Sequence, residues 1–287
     1  MELVDKLSNR QYIDGEWVES SNKNTRDIIN PYNQETIFTV AEGTKEDVER
    51  AILAARRSFE DGEWSLETSE VRGKKVRAVA DKIKENREEL AKLETLDTGK
   101  TLEESYADMD DIHNVFMYFA GLADKDGGEI INSPIPNAES KVVKEPVGVV
   151  TQITPWNYPL LQASWKIAPA LATGCSLVMK PSEITPLTTI RVFELMEEVG
   201  FPKGTINLVL GAGSEVGDVM SGHEEVDLVS FTGGIETGKH IMKQAANHVT
   251  DVALELGGKN PNIIFDDADF ELAVDQALNG GYFHAGQ

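Results

Sequence analysis

The chain has 287 residues, of which 40% are hydrophobic and 26% are charged. Such values are typical of a folded globular protein with one large or two moderate domains. The formal net charge of −22 at pH 7 would repel nucleic-acid phosphates and anionic lipid surfaces, so we expect neither as a partner.

The sequence contains no targeting or metal-binding signal. Its first ten residues mix acidic and basic side chains without an apolar segment, which does not predict a secretory signal. No apolar run approaches the roughly 20 residues of a membrane-spanning helix. The single cysteine, Cys175, fits a cytoplasmic protein, and the histidines lack metal-ligand spacing.

The N-terminal region predicts short strands followed by helices. Residues 12–18 predict a hairpin because Asp14 and Gly15 suit a tight turn. Residues 44–47 resemble a capping box, and the apolar residues that share one face of the helix after it are Val48, Ile52, Ala55 and Phe59. Two further helices are predicted over about residues 71–96 and 106–122.

The pattern changes after these helices. Between residues 127 and 146, Gly, Pro and Asn alternate with short β-like pieces, which we interpret as a protruding arm or a linker. Strands then alternate with helices, and the strands are predicted over residues 147–154, 176–180, 205–210, 228–231 and 252–256. This alternation favours an α/β fold whose parallel sheet is covered by helices on both faces. Such a sheet binds its ligand beyond the carboxyl ends of its strands.

Two glycine-bearing turns follow consecutive predicted strands. Residues 211–217 resemble a dinucleotide-binding fingerprint, although its last spacing is one residue too long. Residues 231–239 also join a strand to a helix and contain three glycines. Backbone N–H groups at a helix start can hold a pyrophosphate, and the alternative is an ordinary strand–helix turn.

Four ordered motifs decide between these interpretations. They are residues 154–159 (Thr-Pro-Trp-Asn-Tyr-Pro), 180–183 (Lys-Pro-Ser-Glu), 231–233 (Phe-Thr-Gly) and 255–261 (Glu-Leu-Gly-Gly-Lys-Asn-Pro). In order and spacing the chain resembles the aldehyde dehydrogenase family from its opening strands to Gln287. The resemblance implies a Rossmann-like sheet, NAD as cofactor and a small aldehyde as substrate.

The resemblance also implies how the chain is divided. Residues 1–126 would form the N-terminal part of an NAD-binding domain, and residues 147–265 its Rossmann-like core. Residues 127–146 resemble the arm that bridges subunits in the family, which implies a homo-oligomer, either a dimer or a tetramer. Residues 266–287 would begin a catalytic domain.

The resemblance assigns catalytic roles to three residues. Glu255 would be the general base that activates the water molecule attacking an acyl-enzyme, because a carboxylate near apolar groups can have a raised pKa. The alternative is that Glu255 forms an ion pair with Lys259. Asn157 would donate its amide to the oxyanion formed on the aldehyde, and a helix cap is the alternative. Lys166 matches a proton-relay lysine, and a solvated helix lysine is the alternative.

Lys180 and Glu183, with Ser182 between them, resemble the residues that contact the adenosine ribose. The charge of Glu183 would disfavour the extra phosphate of NADP, and a solvated Lys–Glu pair is the alternative. Gly234 stands where many members have serine, so one hydroxyl contact would be absent. The other residues implied to border the cofactor are Ile153, Thr154, Pro155, Trp156, Gly213, Gly217, Phe231, Thr232, Gly233, Leu256 and Gly257.

The family often holds a structural monovalent cation, K⁺ or Na⁺, through main-chain carbonyls and an aspartate. The resemblance places this cation at Ile28, Asp97 and Ile184. Carbonyl oxygens leave no sequence signature, so only Asp97 carries an expectation about a side chain.

Residues 156–175 are most similar to family members that act on betaine aldehyde. The implied reaction gives glycine betaine, an osmoprotectant made from choline. Tyr158 and Trp165 would contact the quaternary ammonium group, because a seven-residue spacing places them near one helical face and aromatic faces attract such cations; aromatic residues at this spacing also occur in cores. The alternatives are a family member for ω-amino or other small aldehydes and a non-catalytic NAD-binding or structural protein.

The family's nucleophile is a cysteine that follows Gly-Gln after one variable residue. Residues 283–287 match this pattern as far as Gly-Gln, so the cysteine would lie two positions after Gln287. We therefore expect the chain alone to be inactive. Cys175 would not substitute, because it lies between a predicted helix and a predicted strand.

Overall fold

A seven-stranded sheet organises the chain, of which the computed structural model describes residues 3–125 and 127–286. The strands are β1 (Gln11–Ile13), β2 (Glu16–Val18), β3 (Thr25–Ile29), β4 (Thr36–Ala41), β5 (Glu129–Ile131), β6 (Ser140–Val142), β7 (Val149–Ile153), β8 (Ser176–Lys180), β9 (Ile206–Leu208), β10 (Leu228–Gly233) and β11 (Asp251–Leu256). The helices are α1 (Lys45–Glu60), α2 (Ser69–Glu85), α3 (Arg87–Thr98), α4 (Leu102–Leu122), α5 (Pro159–Thr173), α6 (Leu187–Val199), α7 (Asp218–Gly222), α8 (Ile235–Ala245) and α9 (Phe270–Tyr282).

The sheet has the order β11-β10-β7-β8-β9-β1-β2. The first five strands of this order run parallel, which confirms the predicted parallel sheet. Helices cover both faces of the sheet, and each face has its own hydrophobic core. Successive residues of a strand point to opposite faces and therefore pack in different cores. In β8, Leu177 and Met179 pack with α2 to α6, whereas Val178 packs with α1, α7 and α8.

The predicted N-terminal hairpin forms, with Asp14 at φ 55° and Gly15 at φ 80° as a tight turn requires. It is not a separate region before the sheet. Tyr12 pairs with Leu208, so β1 and β2 extend the sheet as antiparallel edge strands. Tyr12 is also buried against Phe193 of α6, which accounts for the long-range docking.

Two predicted helix boundaries were wrong. The helix expected over residues 71–96 is divided into α2 and α3 at Asn86, whose side-chain amide donates to the Lys82 carbonyl and ends α2. The helix expected from residue 106 begins at Leu102, because Thr101 and Glu104 form a capping box. The capping box expected at Thr44 is present at the start of α1.

The segment expected to form an arm contains β5 and β6, an exposed antiparallel hairpin outside the central sheet. Helix α9 likewise has no buried residue among those described. Within residues 3–125 and 127–286, no helix has the length and apolar character needed to cross a membrane. Cys175 is buried between α5 and β8, as expected.

Candidate active site

A cleft of about 630 Å³ lies at the carboxyl ends of four parallel strands. Each predicted motif lies at the carboxyl end of one of them, β7, β8, β10 or β11, either in its last residues or directly after it. We call it the strand-end cleft. Its lining residues are Ile153, Thr154, Pro155, Trp156, Asn157, Gln162, Trp165, Lys180, Ser182, Glu183, Gly213, Phe231, Thr232, Gly233, Gly234, Thr237, Glu255, Leu256 and Gly257.

The cleft therefore brings together most of the predicted site, including both Asn157 and Glu255. Of the residues predicted to bind the cofactor, only Gly217 does not line it. Residues 213–217 form a π-helical turn before the short α7, so the first glycine loop is not a regular fingerprint. Gln162 and Thr237 line the cleft but were not predicted.

The Lys180–Glu183 pair is not a solvated ion pair. The Lys180 side chain is buried, and its Nζ donates to Glu183 Oε2 at 3.1 Å and to the Pro181 carbonyl at 2.9 Å. Burial lowers the pKa of Lys180, and the carboxylate of Glu183 opposes that shift. Burial also raises the pKa of Glu183, but Lys180 and the Gly213 N–H outweigh it, so this pKa is lowered. Glu183 is thus a fixed, ionised acceptor facing the cleft.

The second glycine turn presents an open helix start. Gly234 is the N-cap of α8, and no side chain in the described part of the chain caps the first N–H groups of this helix. At Gly213, Gly234 and Gly257 an added Cβ would meet no atom of residues 3–125 or 127–286 within 4 Å. A ligand can therefore approach the main chain closely at these positions.

Lys166 is buried, so the alternative that it is a solvated lysine on a helix does not apply. It is only 7% exposed, and its Nζ donates to Thr232 Oγ1 at 2.9 Å and to Ser230 Oγ at 3.2 Å. Thr232 in turn donates to Gln162 Oε1 at 3.2 Å. Burial lowers the pKa of Lys166 to about 8, against the opposing charge of Glu255. These contacts form a polar network that connects Lys166 to Thr232 and Gln162, which line the cleft.

Glu255 lies in β11, directly paired with Thr232 of β10. Its side chain is exposed, so the apolar surroundings expected for it are not formed by the described residues. No ion pair among the described residues joins Glu255 to Lys259. This leaves the carboxylate open to the cleft and near the Lys166 ammonium group.

Asn157 lies between β7 and α5, and its Oδ1 accepts the Tyr158 N–H at 3.1 Å. It is not the N-cap of α5, because Tyr158 holds that position with φ −126° and ψ 62°. The expectation that Tyr158 and Trp165 share a helical face was therefore wrong, since Tyr158 precedes the helix. Trp165 lines the cleft and is 49% exposed, whereas Tyr158 stacks on His284 outside the lining.

The residues expected near a monovalent cation have different environments. Asp97 is buried; its Oδ2 accepts the Leu187 N–H at 2.8 Å, and its Oδ1 has no hydrogen-bond partner among the described residues. Burial raises the pKa of Asp97 well above its ordinary value. Ile28 is buried and Ile184 is 53% exposed. In the described parts of the chain, no cluster of three His, Cys, Asp or Glu residues could hold a metal.

Residues 17–287 match the model of the aldehyde dehydrogenase family. The chain belongs to this family. It is 66% identical over 281 residues to betaine aldehyde dehydrogenase of Bacillus subtilis, covering 98% of this chain and 57% of the relative. It is 45% identical to peroxisomal aminoaldehyde dehydrogenase 1 of Pisum sativum over 289 residues, covering 98% of this chain and 57% of that relative.

Solved structures of aldehyde dehydrogenases also match the fold. A 1.90 Å crystal structure of betaine aldehyde dehydrogenase from Staphylococcus aureus in complex with NAD⁺ superimposes with a TM-score of 0.99. That protein is 90% identical to this chain, and the match covers all of this chain and 57% of that one. The chain thus spans about 57% of the length of the relatives it matches.

Proposed function

We propose that the strand-end cleft binds NAD, and that the whole protein containing this chain oxidises betaine aldehyde to glycine betaine. The observation that carries the proposal is that Lys180 and Glu183 line the same cleft as Asn157 and Glu255. A dinucleotide held by its ribose at Glu183 could then reach the side chains that act on an aldehyde. The 90% identical enzyme from Staphylococcus aureus was solved with NAD⁺, which supports this choice of cofactor.

The geometry of the cleft fits a dinucleotide. We assign the pyrophosphate to the uncapped start of α8 at Gly234, because orphan N–H groups and the helix dipole favour anions there. The space on the Cβ side of Gly213 and Gly234, which no described residue fills within 4 Å, leaves room for this close approach. We assign the adenosine ribose hydroxyls to the Glu183 carboxylate. Its negative charge favours NAD over NADP.

Two residues that line the cleft, Asn157 and Glu255, can perform the remaining steps together with the buried Lys166. When bound, NAD supplies the hydride acceptor. The Asn157 amide donates to the aldehyde oxygen as negative charge develops there during attack by the thiolate that the family pattern places after Gly-Gln. Glu255 takes a proton from the water that releases the acid. Lys166, whose pKa of about 8 permits proton exchange near neutral pH, is influenced by the charge of Glu255 and is proposed to pass that proton on.

The quaternary ammonium group is proposed to contact Trp165, whose half-exposed ring lines the cleft. The test compares kcat/KM of the full-length protein for betaine aldehyde and for its uncharged isostere, in which a tert-butyl group replaces trimethylammonium. We expect Trp165→Ala to reduce the preference for the cation by about 3- to 30-fold, and Trp165→Phe to retain most of it. Equal turnover of both aldehydes by the wild type would contradict the proposed substrate.

A second candidate is an ω-amino aldehyde, favoured by the relative named aminoaldehyde dehydrogenase. Both substrates carry positive charge, so a series from primary to quaternary ammonium aldehydes separates them. We expect the highest kcat/KM with the quaternary ammonium aldehyde. A protein without NAD-dependent turnover of any of these aldehydes would support a non-catalytic role.

We propose further that residues 127–146 bridge subunits of a cytoplasmic dimer or tetramer. The exposed β5–β6 hairpin supports this role, and sedimentation that found only monomers of the full-length protein would contradict it. The domain division at residues 126, 146 and 265 is proposed with it. Asp97 Oδ1 is buried without a partner among the described residues, so its neighbourhood suits K⁺ or Na⁺.

A further inference from the structure

A histidine that the family comparison did not assign lies directly behind Asn157. His284 is 6% exposed, and its Nε2 lies 2.7 Å from the main-chain oxygen of Asn157. A carbonyl oxygen can only accept, so Nε2 carries the proton and donates it. Burial and the charge of Lys100 lower the pKa of His284, which keeps the ring neutral at pH 7 with this tautomer.

The His284 ring is also held by the residue that follows Asn157. Its ring centroid lies 4.0 Å from that of Tyr158, and the two planes differ by only 7°. Lys100 Nζ lies 4.5 Å from the centroid of the Tyr158 ring. That ammonium group is fixed in turn by buried ion pairs to Asp108 at 2.5 Å and Glu94 at 3.3 Å. Both residues of the Asn157–Tyr158 pair are therefore tied to one histidine.

The main chain at His284 is fixed as well. Its N–H donates to Glu104 Oε1 at 2.5 Å, and its φ is 56°, a left-handed conformation that side chains with a Cβ rarely adopt. Such a conformation persists only where surrounding contacts determine it, and these concentrate at functional sites. Glu104 also caps α4, so the contact links the start of that helix to the segment after α9.

We propose that His284 is a positioning residue that sets the orientation of the Asn157 amide in the strand-end cleft. Asn157 Oδ1 accepts the Tyr158 N–H at 3.1 Å, so the orientation of the side-chain amide depends on the main chain of these two residues. The His284 hydrogen bond fixes the carbonyl of the same residue, and the stack on Tyr158 fixes the following peptide. Two contacts from one ring thereby restrict the rotation of the Asn157 backbone. The inference rests on the proposed role of Asn157 as oxyanion donor.

The test uses two variants of the full-length protein that separate the ring from its proton. His284→Phe keeps an aromatic ring for the stack but has no donor, whereas His284→Gln keeps a donor without the ring. We expect His284→Phe to lower kcat and kcat/KM for the aldehyde equally, by about five- to tenfold, with KM unchanged. His284→Gln should recover more than half of that loss. The dissociation constant for NADH should change in neither variant, because His284 does not line the cleft.

Controls distinguish the possible failures. His248→Phe, at an exposed histidine after α8, should leave kcat unchanged. Glu104→Gln weakens the contact to the His284 N–H without touching its ring, and should lower kcat about two- to threefold even if His284→Phe folds poorly. An active wild type with an unaltered kcat in His284→Phe or Glu104→Gln would overturn this inference alone. A wild type that oxidises no aldehyde would overturn the proposed function as well.

Discussion

Replacing Lys166 with methionine should stabilise the fold at neutral pH and remove part of its pH dependence. Burial lowers the pKa of Lys166 from its ordinary value of 10.5 to about 8. Below pH 8 the folded chain holds this lysine charged in a desolvated site, whereas the unfolded chain holds it in water. The difference costs about 3 kcal/mol of folding free energy when both states are protonated.

This cost disappears as the folded state loses its proton. The contribution of Lys166 to the free energy of unfolding therefore becomes more favourable between pH 8 and 10.5. Between pH 7 and 9.5 the increase is about 2 kcal/mol. In Lys166→Met that rise is absent. At pH 7 the free energy of unfolding of Lys166→Met should exceed that of the wild type by about 1 to 2 kcal/mol. The gain is smaller than the cost of the buried charge, because the variant also loses the hydrogen bonds to Ser230 and Thr232.

Urea unfolding at pH 7 and pH 9.5, followed by circular dichroism, measures both quantities. The matched control is Lys239→Met, because Lys239 is an exposed lysine on α8 that forms an exposed ion pair to Glu236. The control should keep the wild-type pH dependence. If Lys166→Met also kept that dependence, or lost stability at pH 7, the lysine would not be held charged in a desolvated site.

Three further predictions follow from the geometry. Asn157→Ala should lower kcat of the full-length protein, because the activation free energy rises by about 3 kcal/mol. A fluorescence titration should show unchanged NADH binding. Glu183→Gln should lower the ratio of kcat/KM for NAD to that for NADP at least tenfold in steady-state assays, and an unchanged ratio would contradict the ribose assignment. Gly148→Ala should lower the Tm measured by calorimetry, because the φ of Gly148 is 128° and an added Cβ would lie 1.9 Å from Asp227 Oδ2. The matched control is Gly121→Ala in α4, where an added Cβ meets no described residue within 4 Å. This variant should gain about 0.5 to 1 kcal/mol in free energy of unfolding.

Local signals in the sequence predicted local structure well. Asp14-Gly15 and the Thr44 cap act within a few residues, and both the turn and the helix start are found as expected. The pairing of β1 with β9 joins Tyr12 to Leu208, and no local pattern encodes such a contact. The break at Asn86 was missed because helical periodicity continues through it, while one side-chain hydrogen bond ends α2.

The site was predicted where a motif follows a strand, because the carboxyl ends of parallel strands meet at one edge. Residues that reach the cleft from within helices were harder to predict. Gln162 precedes Lys166 by one turn of α5, a spacing that could have signalled the shared contact with Thr232. Thr237 and His284 carry no such signal. The burial of Lys166 depends on the hydroxyls of β10, which helical periodicity does not reveal.

In the proposed complex, one dinucleotide spans the strand-end cleft from Glu183 to Asn157 and Glu255. The most direct measurement is a crystal structure of the full-length protein with NAD and an aldehyde analogue. We expect the ribose hydroxyls on the Glu183 carboxylate, the pyrophosphate at the start of α8 and the nicotinamide ring between Asn157 and Glu255. A dinucleotide bound outside this cleft, or one whose nicotinamide points away from both side chains, would contradict it.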